Sequence, residues 1–388
     1  MTYRFDLQAI TRPNIWALKP YRCARDDFSS GILLDANENS LGSSVNPAFA
    51  AVAEEQSLNR YPDPLHGTVK ERLVKLRQVP DPDHIFLGVG SDEVIDILVR
   101  IFCIPGRDKI LITPPTYGMY SVTAQVNDVQ VVKVPLELTG PRQFQLNTAA
   151  ILAATRADPT IKLVFACSPG NPTGTWLDTR DIEQLLDSEA YRGIVVVDEA
   201  YIDFVEQTKG GSVASWVARY PNLVVMQTMS KSFGLAGIRL GMAFADRAII
   251  ALMNKTKAPY NVSTLAATVA LAALDDAGLR KMSQDAAILR DQRRMLTEAL
   301  PRISGISEII GGNDANFVLC RVVAKDGSGR PDSDRAQRVY ERMAQECGLV
   351  VRFRGTEVGC EGCLRITVGN AQENQELLKQ LELNLNLL

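Results

Sequence analysis

Between about residue 67 and residue 255 the chain repeats one pattern, a strand-length aliphatic run followed by an amphipathic stretch of helical period. Ile85-Phe86-Leu87-Gly88-Val89 precedes a segment whose apolar residues fall at Val94, Ile95, Ile97, Leu98, Ile101 and Phe102. Further runs stand at 109–112, 129–132, 161–165, 194–197 and 223–226. Strands that stay apolar at successive positions have no wet face, so they predict a mainly parallel sheet with helices on both sides. Such sheets place ligands beyond the carboxyl ends of their strands. After 254–259 the pattern changes to an Ala/Leu-rich helical region at about 263–300, a strand at 317–320, a Gly/Ser/Asp-rich loop at 325–334, a helix carrying Ala336, Val339, Tyr340 and Met343, a strand at 364–368 and a last helix. The expected fold class is α/β, with a large domain at 31–258. Residues 1–30 with 259–388 are expected to form a smaller α+β domain.

A chain of 388 residues is long enough for two or three domains, and 46% hydrophobic with 22% charged residues is the balance of an ordinary globular protein. A net charge of -3 argues against a nucleic-acid partner or an acidic membrane surface. No secretory signal is visible at Met1-Thr2-Tyr3-Arg4-Phe5-Asp6, and a cytoplasmic location is expected. Seven scattered cysteines read as reduced thiols. Cys360-Glu361-Gly362-Cys363 is a lone pair in a chain with only two histidines, so it reads as a glycine turn before a strand and no metal is expected.

The unusual residues cluster at the strand ends. Ser230-Lys231-Ser232-Phe233-Gly234 sets one lysine among small residues, the uncrowded setting a lysine needs to form a Schiff base with an aldehyde cofactor such as pyridoxal phosphate (PLP). The plain alternative is a surface lysine in a turn. Asp198 ends the most hydrophobic run, where a carboxylate needs a cation beside it, such as a pyridinium nitrogen. Tyr201 follows, within reach of a ring hydroxyl. Ser168-Pro169-Gly170-Asn171-Pro172-Thr173-Gly174 is a rigid loop that projects the amide of Asn171. Gly88-Val89-Gly90-Ser91-Asp92-Glu93 is half a dinucleotide fingerprint, with Glu93 where the third glycine belongs. Its glycine turn, with Ser91 and Asp92 read as caps, would still offer backbone N–H groups to a phosphate, and Ser230 and Arg239 could join them. Tyr117 is a candidate to stack on the ring. Arg352 and Arg365 lie on or beside apolar strands, where a guanidinium implies an anionic partner.

Asn171, Asp198, Tyr201, Lys231 and Arg239, in that order, resemble the fold-type I PLP-dependent aminotransferases. Leu34-Asp35-Ala36-Asn37-Glu38-Asn39, Asn59-Arg60-Tyr61-Pro62, Pro114-Pro115-Thr116-Tyr117-Gly118-Met119-Tyr120-Ser121, Val197-Asp198-Glu199-Ala200-Tyr201 and Gly362-Cys363-Leu364-Arg365-Ile366-Thr367-Val368-Gly369 are similar to the histidinol-phosphate aminotransferase family. The resemblance implies that Lys231 holds PLP covalently and later moves a proton, and that Asp198 pairs with the ring nitrogen. Asn171 and Tyr201 would contact the ring oxygen. Gly90, Ser91, Asp92, Ser230 and Arg239 would surround the phosphate, joined by Tyr61 from the partner of a homodimer, and Tyr117 would lie against the ring. Tyr21, Asn37, Tyr61, Arg352 and Arg365 would bind substrate. The implied reaction, a step of histidine biosynthesis, moves the amino group of histidinol phosphate to 2-oxoglutarate, giving imidazole-acetol phosphate and glutamate. Aromatic-amino-acid aminotransferase and threonine-phosphate decarboxylase are the nearest alternatives. An NAD-linked oxidoreductase and a PLP-fold regulatory protein are more distant ones.

Overall fold

The repeated pattern becomes a seven-stranded sheet in the computed structural model, which describes residues 31–35, 37–39, 41 and 61–388. After β1 (Ile32–Leu33) and α1 (Gly67–Arg77), β2 (Ile85–Val89) runs directly into α2 (Gly90–Phe102). There follow β3 (Lys109–Ile112), α3 (Met119–Val126), β4 (Gln130–Lys133), α4 (Thr148–Ala157) and β5 (Ile161–Cys167). Then come α5 (Thr179–Leu186), β6 (Ile194–Asp198), β7 (Leu223–Thr228) and β8 (Leu240–Ala245). The strand order is β2-β8-β7-β6-β5-β3-β4, and only β8 runs against its neighbours. Every residue of β7 and β8 is buried, and nearly every residue of β5 and β6, as strands covered on both faces must be.

The C-terminal region holds α6 (Arg247–Thr256), α7 (Thr264–Ala273), α8 (Asp276–Ala299), β9 (Ile306–Ile310), β10 (Phe317–Val322) and α9 (Ser333–Glu346). It ends with β11 (Leu349–Val350), β12 (Arg352–Phe353), β13 (Cys363–Thr367) and α10 (Ala371–Leu387). The helical region expected at 263–300 is two helices. Asp275 starts the second by accepting from the Gly278 N–H at 2.7 Å, and a Cβ on Gly278 would collide with the Ala273 carbonyl. Strands β12-β13-β10-β9 form an antiparallel sheet of their own, over a core that includes Phe317, Leu364, Ile366 and Leu377. Ile32 and Leu33, counted with the large domain from sequence, pair in parallel with Leu349 and Val350.

This topology sets where chemistry can occur. The carboxyl ends of β2, β3, β5, β6 and β7 share one edge of the large sheet. Because β8 runs the other way, its first residue, and Arg239 just before it, lie at the same edge. β13 brings Arg365 across from the smaller sheet.

Candidate active site

A cavity of about 320 Å3 opens at that edge, lined among others by Asn37, Ser91, Asp92, Tyr117, Asn171, Asp198, Tyr201, Ser230, Lys231, Arg239, Arg352 and Arg365. Nearly every residue singled out from the sequence is therefore gathered in one place. Gly90 does not line it but packs against Arg239, which does. Tyr21 lies outside the described residues. Tyr61 is 81% exposed, stacks on Tyr260 at 4.6 Å between ring centroids, and does not line the cavity of its own chain.

Asp198, the last residue of β6, is 3% exposed. Its Oδ2 accepts from the Tyr120 hydroxyl at 2.6 Å and its Oδ1 from the Ala200 N–H at 3.1 Å. Burial nonetheless pushes its carboxyl up to about 6, so a carboxylate here lacks the cation that would hold it ionised. Tyr120 was not assigned a role from sequence. It lies 78 residues from Asp198 in the chain, and its signal was only that it follows Tyr117 by three positions, one turn along the same helix start. Its ring stacks on Phe165 of the neighbouring strand at 4.6 Å, which fixes the hydroxyl.

Lys231 stands in the loop after β7, its Nζ 5.9 Å from the centroid of the Tyr201 ring. Burial, helped by the charge of Arg365, pushes its amine down from 10.5 to about 8. The loop is pinned on both sides of the lysine. Ser230 is 2.8 Å from the Thr228 hydroxyl, and Ser232 donates to Asp203 at 2.6 Å while its carbonyl accepts from the Asn39 amide at 3.3 Å. Asp203 is itself held by Arg77 at 2.8 Å, from the end of α1.

The start of α2 differs from the sequence expectation. Ser91 and Asp92 lie inside its first turn rather than capping it, and no side chain caps that end. The Asp92 carboxylate accepts from the Tyr117 hydroxyl at 3.1 Å and from Arg239 at 3.3 Å, so it aims those two side chains. Glu93, which broke the dinucleotide fingerprint, accepts from the Val89 N–H at 2.5 Å and from the Asn261 amide at 2.8 Å. Gly90 has φ of +72°, and a Cβ there would come within 2.5 Å of Arg239 Nη2. The Arg239 guanidinium thus packs directly on the Gly90 backbone at the start of α2, donors that suit a phosphate.

Across the cavity Arg365 donates through Nη1 to Asn171 Oδ1 at 2.6 Å and through Nη2 to the Asp35 carbonyl at 2.7 Å. A guanidinium has no acceptor, so the amide oxygen of Asn171 faces it and the NH2 end remains to donate. The Asn37 amide donates to the Tyr201 hydroxyl at 3.0 Å, which leaves the phenol its own O–H to give. Burial pushes that phenol up to about 12. Arg365 is 4% exposed, is held down to about 9 by burial and by nearby Arg354, and keeps a buried Nε–H without an acceptor. Arg352 is its direct cross-strand partner. Two like charges facing each other across a ladder are unfavourable, an arrangement suited to an anionic ligand.

A family model, aminotransferase class I and II, matches residues 27–381. The chain belongs to this aminotransferase family. Within it, the chain is 50% identical over 386 residues to a histidinol-phosphate aminotransferase of Schizosaccharomyces pombe, covering 98% of this chain and 97% of that protein. It is 47% identical to the Saccharomyces cerevisiae protein of the same name, over 97% and 96%. Among solved structures, histidinol-phosphate aminotransferase from Sinorhizobium meliloti in complex with pyridoxal-5'-phosphate superposes with a TM-score of 0.84 at 21% identity, covering 97% of this chain and 98% of that one, a likeness of fold. The α/β architecture read from the strand runs is that of this aminotransferase fold.

Proposed function

We propose that this protein is a PLP-dependent aminotransferase that moves the amino group of L-histidinol phosphate to 2-oxoglutarate, in histidine biosynthesis. The observation that carries the reading is a single cavity with Asp198 and Lys231 on one side and Arg352 and Arg365 on the other. The residues fit the cofactor. A buried carboxylate short of a cation suits a pyridinium nitrogen, and the Arg239 guanidinium packed directly on Gly90 at the start of α2 suits a phosphate. Bound there, PLP supplies an electron-withdrawing ring able to accept and return an amino group.

The protein's own groups then divide the work. Asp198 would hold a proton on the ring nitrogen and is itself steadied by Tyr120. Asn171 and Tyr201 would donate to the ring oxygen. Gly90, Ser91, Asp92, Ser230 and Arg239 would enclose the phosphate, and Tyr117 would flank the ring. Lys231 Nζ, brought to about 8, is unprotonated often enough near neutrality to take a proton from the substrate carbon and give it back. Asn37, Arg352 and Arg365, with Tyr21, bind substrate. Arginine can fork onto a carboxylate or a phosphate, so one pair of side chains can serve both glutamate and a phosphorylated amino alcohol. Arg365→Ala should therefore impair the half-reactions of both donors, by about a hundredfold each as a buried charge-assisted pair is lost. Loss of one alone would contradict the shared use of Arg365.

The same proposal includes a homodimer with Tyr61 entering the partner's cavity. Tyr61 and Tyr260 form an exposed aromatic stack, with Leu65 and Leu265 also exposed on adjoining elements, a surface that suits a contact with a second copy. Ile32–Leu33 is assigned to the smaller unit on its pairing with β11, and the division near 258 is otherwise kept. A cytoplasmic location is proposed on the described cysteines, all free and mostly buried. Among the described residues no helix is long and apolar enough to cross a membrane.

A further inference from the structure

Arg354 lines the cavity with Arg352 and Arg365, two positions beyond Arg352, and its backbone N–H continues the β12–β13 ladder by donating to the Cys363 carbonyl at 2.8 Å. Its Nη1 is held by Glu357 at 2.7 Å, both side chains being about one-fifth exposed. Its Nε–H is buried without an acceptor, as is that of Arg365. The two arginines are therefore in different states. Arg365 is committed to neutral acceptors, the Asn171 amide and the Asp35 carbonyl, and its charge is met by no carboxylate in those bonds. Arg354 carries its own carboxylate, on a turn three residues away, and the pair is reached by solvent over about one-fifth of each side chain.

We propose that Arg354, held in reserve by Glu357, lets this site distinguish a dianionic phosphate from a singly charged carboxylate. The inference rests on the substrate reading above. Arg352 and Arg365 suffice for a carboxylate, which has two oxygens and one charge. A phosphate presents three oxygens and up to two charges, so it can draw a third guanidinium from Glu357 and satisfy its idle Nε–H. Glu357 thereby acts as an internal competitor: a weakly charged ligand does not displace it, and a doubly charged one does.

The test compares Arg354→Gln, Arg354→Lys and Glu357→Gln in holoenzyme, with two readouts. One is kcat and KM for histidinol phosphate and for glutamate, and the other is calorimetric binding of inorganic phosphate without turnover. Arg354→Gln should lower kcat/KM for histidinol phosphate about tenfold, mainly through KM, and for glutamate by less than about threefold. Arg354→Lys should recover part of the loss, and Glu357→Gln should tighten inorganic phosphate about threefold by removing the competitor. Equal losses for both donors, or no loss for either, would overturn the inference. So would weaker phosphate binding in Glu357→Gln, which would make the pair a structural strut. A wild-type enzyme that ignores histidinol phosphate would instead defeat the substrate reading, while the calorimetry would still report on Arg354.

Discussion

Asp198→Asn should stabilise the cofactor-free protein while removing its activity. The wild-type carboxyl is buried at the end of β6 and its folded value is raised from 3.8 to about 6, chiefly by burial. The sign follows from proton linkage. Between these two values the native state keeps the proton that the unfolded chain releases, so stability falls as pH rises through that window and the whole penalty is present above it. The interval is about two pKa units, and at 1.36 kcal/mol each the penalty is about 3 kcal/mol. Asparagine carries no charge, yet its oxygen can accept from the Ala200 N–H and its NH2 can donate to the Tyr120 oxygen, so the local bonds survive. Urea unfolding of the apoproteins should show the variant more stable by about 2–3 kcal/mol at pH 8, with the gain shrinking towards zero near pH 4. Stability held back for function is a common feature of catalytic sites. A variant less stable at pH 8, or a difference that does not change with pH, would show that burial does not raise the Asp198 carboxyl.

Two further outcomes are expected. The rate at which apoprotein captures PLP, followed by absorbance, should rise with pH about a midpoint near 8, the value to which burial and Arg365 bring Lys231; a midpoint near 10.5 would contradict the burial argument. If Tyr61 serves the partner's site, coexpressed Lys231→Ala and Tyr61→Ala chains should regain activity in about one quarter of sites, since hybrids carry one intact site of two. Activity no higher than that of either variant alone would place Tyr61 elsewhere.

Much of this arrangement was legible in the chain because the signals are local. Unbroken aliphatic runs such as 194–197 and 223–226 mark covered strands, and the polar or glycine-rich residues after them mark the ligand edge. What could not be read depends on contacts between distant segments. Nothing in Leu240–Ala245 announces that β8 runs against its neighbours, yet that reversal delivers Arg239 to the cavity. Tyr120 looks like an ordinary core aromatic until the fold places it against Asp198. Ser91 and Asp92 have the chemistry of caps, but α2 already begins at Gly90, so Asp92 is left to aim Tyr117 and Arg239. Arg354 stood in the same sequence run as Arg352 and carried no distinguishing mark. Only its pairing with Glu357 separates the two.

The central claim is that a Lys231–Asp198 centre facing paired arginines serves a phosphorylated amino donor. The direct measurement is kcat/KM of the purified holoenzyme for histidinol phosphate, phenylalanine and glutamate, each with a suitable oxo-acid acceptor, alongside carbon dioxide release from threonine phosphate. Histidinol phosphate should be the preferred donor, with glutamate the partner in the reverse half-reaction and no decarboxylation. A clear preference for phenylalanine, or carbon dioxide from threonine phosphate, would contradict it.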